Sequence, residues 1–234
     1  MAPTEFERDV QITVGAEGVI HGDLALPQDP AGLVLFAHGS GSSRHSARNR
    51  RVAAALQRRG FATLLLDLLT ASEDAIDQRT RELRFDIRLL AARLGLAAAW
   101  SDDDVAVASL PIGYFGASTG AAAALVAAVD RPERIGAIVS RGGRPDLAEA
   151  ALPLVRTPTL LIVGGRDEAV LGMNQEAAGM LGGVHELVVV PGATHLFEEE
   201  GALDHVAHLA GDWFETYLGM DAGGSGGGTR RNRR

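Results

Sequence analysis

The sequence has no cysteine and no lysine. The first absence excludes disulfides, thiolate metal sites and a cysteine nucleophile. The second leaves arginine as the only strongly basic residue type. No apolar run approaches the roughly 20 residues that a membrane-spanning helix needs. The opening residues, "MAPTEFERD", are acidic and carry no apolar h-region, so the expectation is a cytoplasmic protein with no membrane partner. A net charge of -8 argues against a nucleic-acid-binding body. The basic stretch "TRRNRR" closes the chain behind a Gly/Ser linker. It reads as a flexible tail, 221–234, after a single domain, 1–220.

Metal and cofactor chemistry is also poorly supplied. His205 and His208 share a helix face at i, i+3 but find no third ligand of suitable type. Asp102–Asp104 lacks calcium-loop spacing and reads as a solvated turn. His21, His45 and His185 read as edge or surface residues, and His38 as a residue that shapes its loop. No cofactor and no metal are expected.

What is present is a series of short buried runs separated by helical patterns. Asp9–Val14 and Val19–Leu26 alternate around "GAEG" and predict an antiparallel hairpin at a sheet edge. Leu33–Ala37, Phe61–Leu69, Ile112–Phe115, Ile135–Val139, the "TLLIVGG" run after Pro158 and His185–Val190 read as strands, most of them buried on both faces. Helical patterns fall at Ser46–Arg59, Arg79–Trp100, the alanine-rich run after Gly120, Glu168–Leu181 and Leu203–Leu218. Thr70–Gln78 is polar and reads as a loop, and Asp146–Leu152 as a short helix at most. The alternation predicts a mostly parallel α/β sheet with an N-terminal antiparallel hairpin and helices on both faces. The short connection from Ser140 to Thr157 leaves room for little or no cap.

The organising stretch is "IGYFGASTG", Ile112–Gly120. Strand, G-x-S-x-G, helix is the context of a nucleophile elbow. Side chains at Gly116 or Gly120 would collide with the neighbouring strand or helix as the chain doubles back. "GGSGG" at Gly223–Gly227 fits the same pattern without strand or helix and is rejected. Four polar signals fall at carboxyl ends of predicted strands: His38-Gly39-Ser40, Ser118, Asp167 and His195. Ligands bind at that edge of such sheets. A serine hydroxyl needs a histidine to take its proton, and the histidine needs a carboxylate to fix its tautomer. Ser118, Asp167 and His195 supply these types in α/β-hydrolase order. Each also has a plainer reading, as a βα turn, a turn aspartate or a surface-loop histidine. Arg44, Arg48, Arg141 and Arg144 flank the predicted mouth and could attract an anionic substrate. Helix-surface and loop arginines are the favoured reading for a chain whose only strong base is arginine.

Together "LFAHGSGS", "GYFGASTGAAAAL", "LLIVGGRDEAV" and "VVVPGATHLFEE" resemble the α/β-hydrolase superfamily, in its dienelactone hydrolase-like group. "DLLTASEDAIDQRTRELRFDIRLLAARL" also resembles small hydrolases of this group that occur beside, or fused to, phosphoribosyltransferase domains. No such domain is read in these residues. The resemblance implies Ser118 as nucleophile, Asp167 as acid and His195 as base. It further implies an oxyanion hole from the backbone N–H groups of Thr119 and Ser40. True dienelactone hydrolases carry cysteine where this chain has serine, so a general carboxylic ester or lactone hydrolase is the better expectation. Its partner would be a small-molecule substrate, with a homodimer left open. A non-catalytic binding module on the same fold and other acyl-transfer chemistries (thioesterase, peptidase, perhydrolase) remain alternatives.

Overall fold

The computed structural model describes residues 4–219, so the expected tail, 221–234, lies outside the described residues. Eight strands form one sheet in the order β1-β2-β4-β3-β5-β6-β7-β8. β1 (Thr4–Thr13) and β2 (Val19–Pro27) make the antiparallel hairpin at one edge, with Val10 opposite Gly22 and Thr13 opposite Val19. β2 joins β4 (Phe61–Leu66) antiparallel. From there β3 (Gly32–Ala37), β5 (Ile112–Ala117), β6 (Ile135–Arg141), β7 (Thr159–Gly164) and β8 (His185–Val190) run parallel. This is the α/β-hydrolase architecture.

The strands are continuous apolar runs because both faces are covered, and their two-residue period deals side chains alternately into two cores. In β3, Leu33, Leu35 and Ala37 enter one core, while Val34 and Phe36 enter the other. The first core is closed by α3 (Ile87–Asp103), α4 (Thr119–Asp130) and the end of α5 (Glu168–Ala178). The second is closed by α1 (Ala47–Arg58), through Val52, Ala53 and Leu56, and by α6 (Ala202–Leu218), through Val206, Ala210 and Phe214. Arg59 ties these last two helices together, reaching Asp212 at 2.6 Å and Glu215 at 2.6 Å.

Three expectations need correction. Thr70–Gln78 is no loop: Ala71–Thr80 is a helix, α2. Its only buried residue is Asp77, so it carries none of the apolar periodicity that marks a helix in sequence. A capping box starts it instead. Thr70 accepts from the Glu73 N–H, and the Glu73 carboxylate accepts from the Thr70 N–H at 2.8 Å. The long helix expected over Arg79–Trp100 is divided in consequence. Arg81 takes a left-handed φ of 61° and ends α2, and Asp86 caps the new start of α3 by accepting from the Leu89 N–H. Nor is Asp102–Asp104 a merely solvated turn. Asp102 binds Arg134 at 2.7 Å and Arg131 at 2.9 Å, and Asp104 pairs with Arg8. The end of α3 is thereby tied to the turn before β6 and to β1. Between β6 and β7 lie only short 3-10 turns, Pro145–Ala148 and Leu152–Leu154.

Candidate active site

At the carboxyl edge β5 turns into α4 at Ser118. Its backbone sits at φ 50°, ψ -118°, a region costly for any residue but glycine. The elbow is possible because the flanking glycines let three backbone segments meet. A Cβ on Gly116 would strike Ala121 in α4, and one on Gly120 would strike the Ala37 carbonyl of β3. The Ser118 N–H donates to the Arg141 carbonyl at 3.2 Å, which fixes the turn against β6. Thr119 opens α4, so its N–H belongs to the first turn that has no intrahelical acceptor.

Asp167 lies just past β7 and His195 in the loop past β8. The structure joins them: His195 Nδ1 donates to Asp167 Oδ2 at 2.6 Å. A carboxylate on Nδ1 fixes the tautomer whose Nε2 is free to accept a proton. Ser118 and His195, with Ser40 and Arg141, line one cavity of about 220 Å³. The loop 39–43 is the wall shared with a second, larger cavity of about 690 Å³, which Thr119 and α2 also line. The histidine loop is pinned from behind by Glu199, whose carboxylate accepts the Thr194 N–H at 3.1 Å. Hydrogen bonding from Thr194, by its side chain first and then by this N–H, holds the Glu199 carboxyl below its usual range.

The loop after β3 is held from several sides. His38 donates from Nδ1 to the Gly39 carbonyl at 2.9 Å and accepts the Leu68 N–H on Nε2 at 3.3 Å. Burial pulls its pKa down against the opposing pull of that Gly39 bond, so the ring is a neutral brace. Asp67 accepts the Arg44 N–H at 2.9 Å and pairs with the Arg44 guanidinium, which also reaches Asp23 at 3.1 Å. Of these supports His38 is legible in sequence as a residue that shapes its loop, whereas the Asp67–Arg44 pairing is not. Asp67 was visible only as a polar residue ending an apolar strand. Glu199 was one member of an acidic run.

The four mouth arginines separate clearly. Arg44 is engaged as described, Arg48 binds Glu198 at 3.2 Å and Arg144 binds Asp146 at 2.7 Å. Arg141, at the end of β6, is 7% exposed, and its Nε and Nη1 have no hydrogen-bond partner. Among the described residues no group of three or more His, Asp or Glu is placed to hold a metal ion, and no helix is long and apolar enough to cross a membrane.

No protein-family model matches the chain. The crystal structure of a dienelactone hydrolase from Anabaena variabilis is 56% identical, superposes with a TM-score of 0.90, and is matched over 92% of this chain and 100% of that one. Two Mycobacterium tuberculosis sequences provisionally named phosphoribosyl transferases are 57% identical over 216 residues, 92% of this chain and 48% of theirs. The chain thus spans about half the length of the curated relatives it matches. A Pyrococcus furiosus esterase shares the fold at 17% identity, with a TM-score of 0.67 and 92% of each chain covered.

Proposed function

The chain belongs to the dienelactone hydrolase family of α/β-hydrolases, and on that premise we propose that it is a serine hydrolase of carboxylic esters or lactones. Ser118 Oγ attacks the carbonyl carbon and passes its proton to His195 Nε2. Asp167 holds the imidazole by Nδ1 and balances the imidazolium as it forms. The tetrahedral oxyanion rests on the N–H groups of Ser40 and Thr119, each typically accounting for about 3 kcal/mol of barrier lowering. The proton then goes from His195 to the leaving alcohol, which departs. Water, activated by the same histidine, releases the acid from the acyl-enzyme.

One observation carries this reading. A hydrogen-bonded carboxylate–imidazole pair opens onto the same cavity as a serine at a strained strand-to-helix turn. A serine that merely closed a βα turn would need neither the pair nor the strain. The test is Ser118→Ala on a short-chain nitrophenyl ester. Loss of the nucleophile from such a unit costs on the order of a millionfold in kcat. Turnover near that of the parent protein would reject the assignment.

A further inference from the structure

A guanidinium keeps its proton at neutral pH, and burying it without an anion is costly. Three charged side chains are buried among the described residues, Asp77, Arg93 and Arg141, and the first two are compensated. Arg93 meets Glu73 at 2.6 Å and Arg84 meets Asp77 at 2.6 Å. Arg141 departs from this rule. It has no carboxylate partner among the described residues, its nearest aromatic face is Phe197, with the ring centroid 5.9 Å away, and it lines the cavity of Ser118 and His195. Burial, and secondarily the positive charge of Arg48, pulls its pKa down to about 10. Water in the cavity would satisfy its N–H groups but would leave the charge unbalanced. The same wall holds the Asn49 Oδ1, also buried without a partner. The unpartnered Arg141 Nε and Nη1 donors, their positive charge and the proposed nucleophile therefore share one small space, and the Asn49 oxygen, an acceptor, adds no donor to it.

We propose that Arg141 anchors an oxyanion group, carboxylate or phosphoryl, on the acyl half of the substrate, so that anionic esters are preferred to neutral ones. The inference rests on Ser118 being the nucleophile, because that places the acyl carbonyl in this cavity. The volume of about 220 Å³ equals roughly seven water volumes. It suits an acyl chain of a few carbons ending in the charged group. The neighbouring cavity, across the loop 39–43, is left for the alcohol. Arg44, Arg48 and Arg144 are not needed as anchors, since each already meets a carboxylate.

Three nitrophenyl esters of matched length test this: pentanoate, hemiglutarate and 4-phosphonobutanoate. At least one anionic ester is expected to exceed the pentanoate at least tenfold in kcat/KM, and the two anionic arms show which oxyanion is held. Arg141→Met should collapse that ratio by roughly 10- to 150-fold, the range for hydrogen bonds to a charged group. Arg141→Lys keeps the charge without the planar fork and should retain part of the preference; it carries the test should Arg141→Met fail to fold. A parent enzyme indifferent to acyl charge, or a variant with the parent ratio, overturns the proposal. Two further readouts separate it from the nucleophile reading. An uncharged fluorophosphonate labels an activated Ser118 regardless of acyl charge. Glutarate or inorganic phosphate should raise the melting temperature of Ser118→Ala protein, but not of the Ser118→Ala, Arg141→Met double variant. Labelling without any charge preference would remove the anchor and leave the nucleophile. Protection without labelling would do the reverse.

Discussion

Ser118 holds a backbone conformation, φ 50° and ψ -118°, that only glycine adopts freely. Such strain costs of order 1–3 kcal/mol and persists where neighbouring structure overdetermines it. Here the residues on either side are held in close backbone contact, Gly116 against Ala121 and Gly120 against Ala37. Comparing Ser118→Gly with Ser118→Ala isolates the strain, since both lack the hydroxyl. Glycine relieves the conformation but loses about 0.5–1 kcal/mol more chain entropy on folding. The expected balance is about 1 kcal/mol in favour of Ser118→Gly, or 2–4 °C in melting temperature for a chain of this size. A Ser118→Ala protein that melts about 1–4 °C above Ser118→Gly would show that the turn stores no strain, because only the entropy cost of glycine would then remain. A second residue-scale expectation concerns Asp167→Asn, which keeps the shape but favours the wrong histidine tautomer. A fall of about 10⁴ in kcat is expected if the aspartate acts as it does in such triads. What the sequence reveals of this site follows from local constraint. G-x-S-x-G between strand and helix, and polar residues ending apolar strands, are local patterns. The isolation of Arg141 is not local, for it depends on which carboxylates the fold leaves within reach. In sequence it stands equal to Arg44, Arg48 and Arg144.

The helix α2 shows how an element can form without an apolar stripe. Its ten residues, "ASEDAIDQRT", bury only Asp77, so little tertiary packing supports it. Polar fastenings replace the missing stripe. Thr70 and Glu73 close the capping box, Glu73 also binds Arg93, and Asp77 takes both the Arg84 N–H at 2.9 Å and its Nε at 2.6 Å. Thr70→Ala should cost about 1 kcal/mol by denaturant unfolding. Hydrogen exchange should speed up over Ala71–Thr80 in particular, and an unchanged exchange rate there would reject the cap as the helix's anchor. The same fastenings set an acid limit. Burial pushes the Asp77 and Glu73 carboxyls up, but the N–H groups and guanidinium of Arg84 outweigh it for Asp77. For Glu73 the Thr70 N–H and Arg93 do the same, so both stay below their usual range. Their stabilisation is present above the ordinary carboxylate pKa, about 4, and is lost as pH falls through the lower folded values. Stability should therefore decline below about pH 4, and Asp77→Asn should flatten that decline. Thr70-x-x-Glu73 was the signal available in sequence. The residues after it lack periodicity, and the helix depends on Arg84 and Arg93, which lie beyond it.

At the scale of the whole molecule, the sheet makes the two cores one. Each central strand sends alternate side chains to both faces, as β5 sends Tyr114 one way and Phe115 the other. Removing the layer of α1 and α6 would expose Phe36 and Phe115, whose rings stack at 4.8 Å within the second core. The site depends on the same sheet, drawing residues from the ends of β3, β5, β6, β7 and β8. This overall plan is readable in sequence because strands buried on both faces are continuous apolar runs, whereas the division of residues between the cores needs the strand order. Neither layer can then leave while the other keeps its packing, and a single cooperative transition follows. The chain's two tryptophans report on opposite faces, Trp100 against the core of α3 and α4 and Trp213 within that of α6. Trp213→Phe and Trp100→Phe each leave one reporter. In denaturant the fluorescence midpoint of each variant should coincide with its own midpoint by circular dichroism, and ester hydrolysis should be lost over the same range. If Trp213 reported its transition at lower denaturant than circular dichroism, the α1–α6 layer would be a separate unit, and the histidine loop packed against it would fail before the sheet does.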